Sequence, residues 1–280
     1  MESFNLKKIV PSLVEKASPL SVLHGRSRSI YSSDWGWLSF KGCGWTWGKS
    51  PVLVSKKDAQ LVFGLFGKAD AVRESKVSDW LLRFPQDASR VLGWLPALEA
   101  GSFPSEIPLD EICYNDGTLV EPVVLVTQSL CPWRVADFGF MSSVERTKAV
   151  ETACHSRQWS PRKFCAEFAT QLGSALARLH LAGGTNDTLT YDNITLAAEW
   201  IDFEWLYVPG IELPDGCTDQ MLSVRQWKSC LDAFEVVDKL CALCDYEKPS
   251  RLEHIDLCLG AYEANRGPVQ IRDDWLHGHW

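Results

Sequence analysis

The stretch Thr190-Tyr-Asp-Asn-Ile-Thr-Leu-Ala-Ala-Glu-Trp-Ile-Asp-Phe-Glu204 predicts a short strand, a turn and a second strand. Asp192 and Asn193 lie at one end of this hairpin, and Asp202 follows nine residues after Asn193. Such an order can bring three oxygen-bearing side chains around one point, and oxygen atoms are the ligands that Mg²⁺ prefers. The alternative is a surface hairpin whose Asp and Asn residues simply favour the turn. Taken alone, the stretch favours that alternative, so the rest of the chain has to be considered.

Composition is that of an acidic globular protein. The 280 residues are enough for one long domain or two lobes. Asp and Glu outnumber Lys and Arg by 36 to 28, which argues against a nucleic-acid surface but not against a local basic pocket for a nucleotide. No apolar run approaches the ~18 residues of a membrane span, and the N-terminus lacks a secretory hydrophobic region. We therefore expect a cytoplasmic protein with neither nucleic acid nor membrane as a partner.

Ten cysteines are many for a cytoplasmic protein, and they raise the question of a metal site. Cys241 and Cys244 form the sole C-x-x-C and lie in an apolar, helix-like stretch. Their spacing to Cys217 and Cys230 is too irregular for a zinc pattern. We interpret the cysteines as buried free thiols, since cysteine packs as a small apolar residue.

The N-terminal half predicts a phosphate-binding loop. A leading helix is predicted for residues 1–20, and a strand at 35–40 runs into a glycine-rich loop, 41–48, that begins with a lysine. Backbone N–H groups and positive charge in such a loop can approach phosphates. The loop matches neither the Walker A nor the dinucleotide-binding pattern, so it is weak evidence by itself.

A second strand, at 60–66, leads into a predicted helix over 71–84 with Asp70 as its N-cap. Glu74 is expected in the first turn of this helix. There it either reaches a lysine on the neighbouring sheet or is a carboxylate that the helix dipole favours.

The C-terminal half predicts long helices around the hairpin. A buried strand at 120–127 precedes a hinge between lobes, and a helix runs over 160–182 with Ser160 as its cap. Two further helices are predicted at 219–245 and 249–265. The expected core stripe of the 160–182 helix is Phe164, Phe168, Leu172, Leu176 and Leu179.

Five short motifs resemble, in their order along the chain, those of the selenoprotein O family, kinase-like enzymes that AMPylate proteins. They are Gly25-Arg26, Trp37-Leu-Ser-Phe-Lys41-Gly42-Cys43-Gly44, Val72-Arg73-Glu74-Ser75-Lys76-Val77-Ser78-Asp79, Arg134-Val135-Ala136 and the stretch from Leu189 to Glu204. The last motif is also similar to that of the viral NiRAN nucleotidyltransferase domain. The chain departs from the family at Asp137-Phe138-Gly139, where the family has a second arginine, and at Phe203-Glu204, where it has Tyr-Gly.

The resemblance implies an α+β, protein-kinase-like, two-lobed fold, with an N-terminal lobe over residues 1–127 and a C-terminal lobe over 128–280. It also implies roles for particular residues. Asp192 would be the catalytic base, and Asn193 and Asp202 would hold Mg²⁺ or Mn²⁺. Lys41 would contact the ATP phosphates and pair with Glu74. The implied nucleotide-binding residues are Gly25, Arg26, Lys41, Gly42, Gly44 and Arg134.

The function implied by the resemblance is Mg-ATP-dependent transfer of AMP to a hydroxyl of a protein or small molecule. Two alternatives stay within the same fold: kinase-like transfer of the γ-phosphoryl group, or adenylation of a carboxylate by an ATP-dependent ligase. A third is a pseudokinase that binds nucleotide, or only a protein partner, as a non-catalytic scaffold.

Overall fold

The computed structural model has an α+β fold that divides into two compact units. The first unit is Met1–Asp79 with Arg90–Ser129, and the second is Trp80–Ser89 with Leu130–Trp280. The structure describes residues 18–22, 29–33, 36–40, 52–54, 60–96, 99, 121–131, 133–186, 189–201, 203, 206–211 and 219–267.

The first unit is built on a seven-stranded sheet in the order β1-β2-β3-β5-β7-β6, with β4 paired to β5. Strands β3 and β5 are parallel, and the other pairs are antiparallel. The strands are β1 Ser18–Val22, β2 Ser29–Ser33, β3 Gly36–Phe40, β4 Val52–Val54, β5 Gln60–Gly67, β6 Arg90–Pro96 and β7 Pro122–Ser129.

The sequence predicts β3, β5 and β7 correctly to within a few residues. Strand β7 is recognisable because its centre is a run of four buried aliphatic residues, Val123 to Val126. The predicted leading helix falls mostly outside the described residues, and its last residues, from Ser18, belong to β1.

Helix α1, Lys68–Leu81, begins earlier than predicted. The Lys68 N–H donates to the Glu121 carbonyl at 2.8 Å, and the Lys68 ammonium pairs with the Glu121 carboxylate at 2.9 Å. The start of the helix is therefore bonded to the neighbouring strand segment. Asp70 lies inside the first turn instead of capping it, and Glu74 lies in the second turn, 3% exposed.

The second unit is mainly helical. Its elements are α2 Val135–Phe138, α3 Ser143–Arg157, α4 Phe164–Leu181, β8 Thr185–Asn186, β9 Leu206–Tyr207, α5 Asp219–Leu243 and α6 Lys248–Arg266. The predicted bounds of α5 and α6 are confirmed to within two residues. No described helix has an apolar stretch long enough to cross a membrane.

Helix α4 is the centre of the second unit, and its five predicted core residues are all buried. A short 3-10 turn, Pro161–Lys163, precedes it, with Ser160 at the predicted N-cap position, although the Ser160 side chain makes no capping hydrogen bond. Gly173 faces α6 so closely that a Cβ atom would meet the Cys258 carbonyl oxygen at 2.0 Å. The close approach of α4 and α6 therefore requires glycine at this position.

The predicted lobes divide at 127/128, whereas the two units divide after Ser129 and place Trp80–Ser89 with the second unit. This segment is held by Asp87, whose side chain is 1% exposed. The carboxylate of Asp87 accepts two hydrogen bonds of 2.7 Å from Arg178 and one of 3.0 Å from Gln171, both on α4. Hydrogen bonding to Asp87 raises the pKa of Arg178 above its ordinary value.

We predict that Asp87→Ala lowers the free energy of unfolding by about 3 kcal/mol, because it leaves a partly buried guanidinium without its carboxylate. The matched control is Lys228→Ala, which breaks an exposed i,i+4 pair with Asp232 and should cost at most ~0.5 kcal/mol. Urea unfolding followed by circular dichroism measures both variants. Equal destabilisation in the two would contradict the role given to Asp87.

Candidate functional site

The hairpin predicted around Asn193 is present. The Ile201 N–H donates to the Asn193 carbonyl at 3.0 Å, and Ile194 forms an antiparallel bridge with Trp200. The turn closes through Ala198, which has a left-handed backbone (φ 54°) and donates to the Thr195 carbonyl. The predicted turn is thus present with a single bridge beside it, whereas no strand is assigned among the described residues between Leu189 and Phe203.

A second segment runs along this hairpin and positions Arg134. Arg134 forms an antiparallel bridge with Thr195. The Val135 N–H donates to the Ile194 carbonyl and the Ala136 N–H to the Tyr191 carbonyl, both at 2.9 Å. The backbone that carries Arg134 is therefore fixed to the backbone on both sides of Asp192.

The buried carboxylate of Glu199 anchors the closed end of the hairpin. It accepts the Leu130 N–H at 2.9 Å and the Cys131 N–H at 3.4 Å, and it contacts the Thr195 hydroxyl at 3.4 Å. The hairpin is thereby held to the segment that enters the second unit. Glu199 has no role in the sequence-based site, and its partners Leu130 and Cys131 lie 69 and 68 residues away, too far for a spacing rule to find.

Arg134 lies between two carboxylates. Its Nη2 donates to Asp137 Oδ1 at 3.0 Å, and its Nη1 lies 3.7 Å from Asp192 Oδ1. The Asp137 side chain, 4% exposed, also accepts the Arg134 backbone N–H at 3.0 Å. Burial alone would lower the pKa of the guanidinium, but the charge and hydrogen bonds of Asp137, with a smaller effect of Asp192, raise it above its ordinary value.

Asp137 is a site residue that the sequence-based assignment misses. Its Asp-Phe-Gly tripeptide is similar to a kinase signature, but no catalytic loop precedes it in the sequence. The structure places Asp137 and Phe138 in a single helical turn, α2. The signal that identifies Asp137 is its i,i+3 spacing from Arg134, the spacing of a capping box.

The structure thus brings two of the predicted site residues together, Arg134 and Asp192, and Asn193 follows Asp192 in the sequence. The Asp192 side chain is 44% exposed, so a substrate hydroxyl can reach it. Glu74 belongs to the first unit, and its predicted pairing with Lys41 stays a prediction. The predicted residues outside the described part of the chain are Gly25, Arg26, Lys41, Gly42, Gly44 and Asp202.

The donor chemistry at the hairpin is suitable for Mg²⁺. Asp192 and Asn193 supply carboxylate and amide oxygens, the hard ligands that this ion takes. Ile201, which pairs with Asn193, directly precedes Asp202 in the sequence. Within the described residues, no group of three or more His, Cys, Asp or Glu side chains could hold a metal ion.

A second polar cluster, of Ser229, His180 and Tyr262, has the residue types of a nucleophile and a base. His180 Nε2 lies 2.8 Å from Ser229 Oγ, and Nδ1 lies 2.8 Å from the Tyr262 hydroxyl. Ser229 is fully buried, and its hydroxyl donates to the Gln226 carbonyl at 3.1 Å. Because no substrate can reach this hydroxyl, we interpret the cluster as a structural network that joins α4, α5 and α6.

Burial, with a smaller effect of the Arg266 charge, lowers the pKa of His180 to about 3. An unfolded histidine takes up a proton below about pH 6.5, whereas folded His180 stays neutral until about pH 3. The contribution of His180 to stability is therefore fully present above pH 6.5 and is lost as the pH drops from 6.5 towards 3.

We predict that His180→Gln, which cannot be protonated in this range, flattens that decline by up to ~1.4 kcal/mol per pH unit. The measurement is the free energy of urea unfolding at pH values from 7 to 4. His155→Gln, on the exposed side of α3, is the control and should leave the decline of the wild type in place. Parallel curves for wild type and His180→Gln would show that His180 does not cause the acid sensitivity.

No protein-family model matches the chain, and no curated protein matches it. The function proposed below therefore rests on the residues around Arg134 and Asp192 and on the motifs quoted from the sequence.

Proposed function

We propose that the chain is an Mg-ATP-dependent nucleotidyltransferase that moves AMP to a hydroxyl of a protein or small molecule, in a protein-kinase-like, two-lobed fold. The observation that carries the proposal is the distance of 3.7 Å between the Arg134 guanidinium and the exposed Asp192 carboxylate. Asn193 follows Asp192 on the same hairpin. The order of the five sequence motifs supports the same assignment.

Nucleotidyl transfer requires positioning and charge neutralisation more than covalent help from the protein. Asp192 accepts the proton of the attacking hydroxyl while the new bond to the α-phosphorus forms and pyrophosphate leaves. Arg134 keeps the two N–H groups of Nη1 on the side of Asp192, since its Nε and Nη2 donate to Asp137. These N–H groups are available to hold a phosphate oxygen near the base.

The net charge around Arg134 favours a bound cation in the proposed reaction. One guanidinium faces two carboxylates, Asp137 and Asp192, so the three side chains together carry a net charge of about −1. Mg²⁺, when bound, would supply the positive charge that the phosphates need, with Asn193 and Asp202 as its protein ligands.

The pairing of Arg134 with two carboxylates also favours a non-catalytic alternative. An arginine already paired with two carboxylates has less attraction for a phosphate than an unpaired one. A protein that binds nucleotide weakly, or acts only as a scaffold, would tolerate this arrangement.

The purified protein, incubated with Mg²⁺ and ATP labelled at the α- or γ-phosphate, tests the proposal. We expect incorporation of the α-label with release of pyrophosphate. Incorporation of the γ-label would instead identify a kinase, and an α-label on a small carboxylic acid would identify a ligase. If neither label moves and ATP causes no thermal shift, the scaffold alternative is correct.

We predict that Asp192→Asn lowers kcat by at least ~100-fold, because the amide cannot accept the hydroxyl proton. Glu151→Gln, on the exposed face of α3, is the control and should keep wild-type turnover. Asp202→Ala should abolish metal-dependent turnover with an unchanged circular dichroism spectrum. Full turnover in either the Asp192 or the Asp202 variant would contradict these assignments.

We also predict that Asp137→Asn separates KM from kcat. Loss of one negative charge beside Arg134 should lower the KM for ATP by roughly threefold to tenfold. The kcat should fall at the same time, because the guanidinium loses the partner that orients it. A rise in KM would show that Asp137 supports nucleotide binding directly.

A further inference from the structure

The single helical turn that carries Asp137 needs support from outside itself. Helix α2, Val135–Phe138, has only four residues. A turn of that length is not stable alone in water, because nucleating a helix costs more free energy than its first hydrogen bond returns. The N–H groups at its start are bonded to the hairpin, which leaves the carbonyl groups at its end to be satisfied elsewhere.

Arg146, half-buried near the start of α3, supplies donors to the chain directly after α2. Its Nε donates to the Met141 carbonyl at 3.2 Å, and its Nη2 donates to the Gly139 carbonyl at 3.5 Å. The guanidinium carbon also lies 5.2 Å from the centre of the Phe138 ring, within the range of a cation–π contact. One side chain therefore contacts the last residue of α2 and the turn that follows it.

The third nitrogen of Arg146 joins this turn to the end of α5. Its Nη1 donates to the Leu243 carbonyl at 3.0 Å. A Cβ atom at Gly139 would lie 3.6 Å from Leu243 Cδ2, so the turn itself also packs on that residue. The planar fork of arginine can serve three carbonyl groups in fixed directions, which a lysine ammonium on a flexible stem cannot do.

The position of α2 determines where the Asp137 carboxylate lies. That carboxylate accepts hydrogen bonds from the backbone N–H, the Nε and the Nη2 of Arg134. The Asp137 carbonyl accepts the Phe140 N–H at 3.0 Å, within the turn that Arg146 holds. A displacement of this turn therefore moves the acceptor of the Arg134 guanidinium, and with it the Nη1 group that faces Asp192.

We propose that Arg146 is a positioning residue for the nucleotidyl transfer proposed above, on which this inference rests. Arg146 holds the α2 turn, so that Asp137 orients Arg134 beside Asp192. Its own donors are used by carbonyl groups of the protein, so it acts only through Asp137. Substitutions of Arg146 and Asp137 should therefore have effects that do not add.

The first test does not depend on turnover. Amide hydrogen exchange of the whole protein, followed by NMR, reports how firmly the Arg134 and Phe140 N–H groups are held. We expect Arg146→Lys, which keeps the charge and loses the fork, to speed the exchange of both amides about 10-fold. The matched control is Arg83→Lys, since Arg83 also donates to a carbonyl and lies over a ring, both of Trp80. It should leave both amides at the wild-type rate, and unchanged exchange in Arg146→Lys would overturn the proposal.

Two comparisons separate positioning from a general loss of stability. Uniformly faster exchange in Arg146→Lys, including that of the Gly184 N–H at the end of α4, would show that the whole second unit is weakened and would overturn the proposal. In the Asp137→Asn variant, the Arg134 amide has already lost its carboxylate partner. Adding Arg146→Lys to that variant should therefore change the exchange of this amide by less than about 2-fold.

The second test uses the labelled-ATP assay of the proposed function. Arg146→Lys should lower kcat about 10-fold in the wild-type protein but less than about 2-fold in Asp137→Asn, and Arg83→Lys should leave kcat unchanged. Effects of the Arg146 and Asp137 substitutions that multiply would overturn the positioning role. A wild-type protein that transfers no label would instead overturn the proposed function, and the exchange experiment then decides by itself whether Arg146 positions Asp137.

Discussion

The second unit depends on one buried carboxylate, that of Asp87. Its oxygens accept three hydrogen bonds from Arg178 and Gln171 of α4, and its backbone carbonyl accepts the Trp200 N–H at 2.8 Å. The Ser89 N–H returns a bond of 2.9 Å to the Trp200 carbonyl. The short segment that contains Asp87 and Ser89 is thus bonded both to α4 and to Trp200 of the hairpin. Because the carboxylate is buried, the arrangement is stable only with all partners in place.

The hairpin is consequently a rigid platform for the candidate site. Trp200 is completely buried and leads into Ile201, which pairs with Asn193. On the other side, the segment around Arg134 is bonded to the same hairpin, and Asp137 holds the guanidinium. The proposed nucleotidyl transfer would require charges that are held in position before the substrate arrives, and this network holds the Arg134 guanidinium in that way.

The sequence predicts what depends on local patterns. The stripe of α4 follows from its 3.6-residue period, and the hairpin follows from alternation with turn residues between the strands. The start of α1 is not predictable in this way, because Lys68 is positioned by Glu121, 53 residues later. The role of Asp87 is not predictable for the same reason, since its partner Arg178 lies 91 residues away. At the candidate site, the order of the motifs points to Arg134, Asp192 and Asn193. Asp137 is missed because its Asp-Phe-Gly tripeptide is similar to a kinase signature but has no catalytic loop before it in the sequence.

The placement of Trp80–Ser89 with the second unit means that the units are not consecutive along the chain. The polypeptide passes between them after Asp79, after Ser89 and after Ser129. During synthesis, Asp87 leaves the ribosome long before Arg178, so the second unit cannot complete its fold until α4 has been made. A gene fragment that starts at Leu130 would encode α4 without Asp87, whose carboxylate pairs with Arg178. No single cut in the sequence therefore separates the two units.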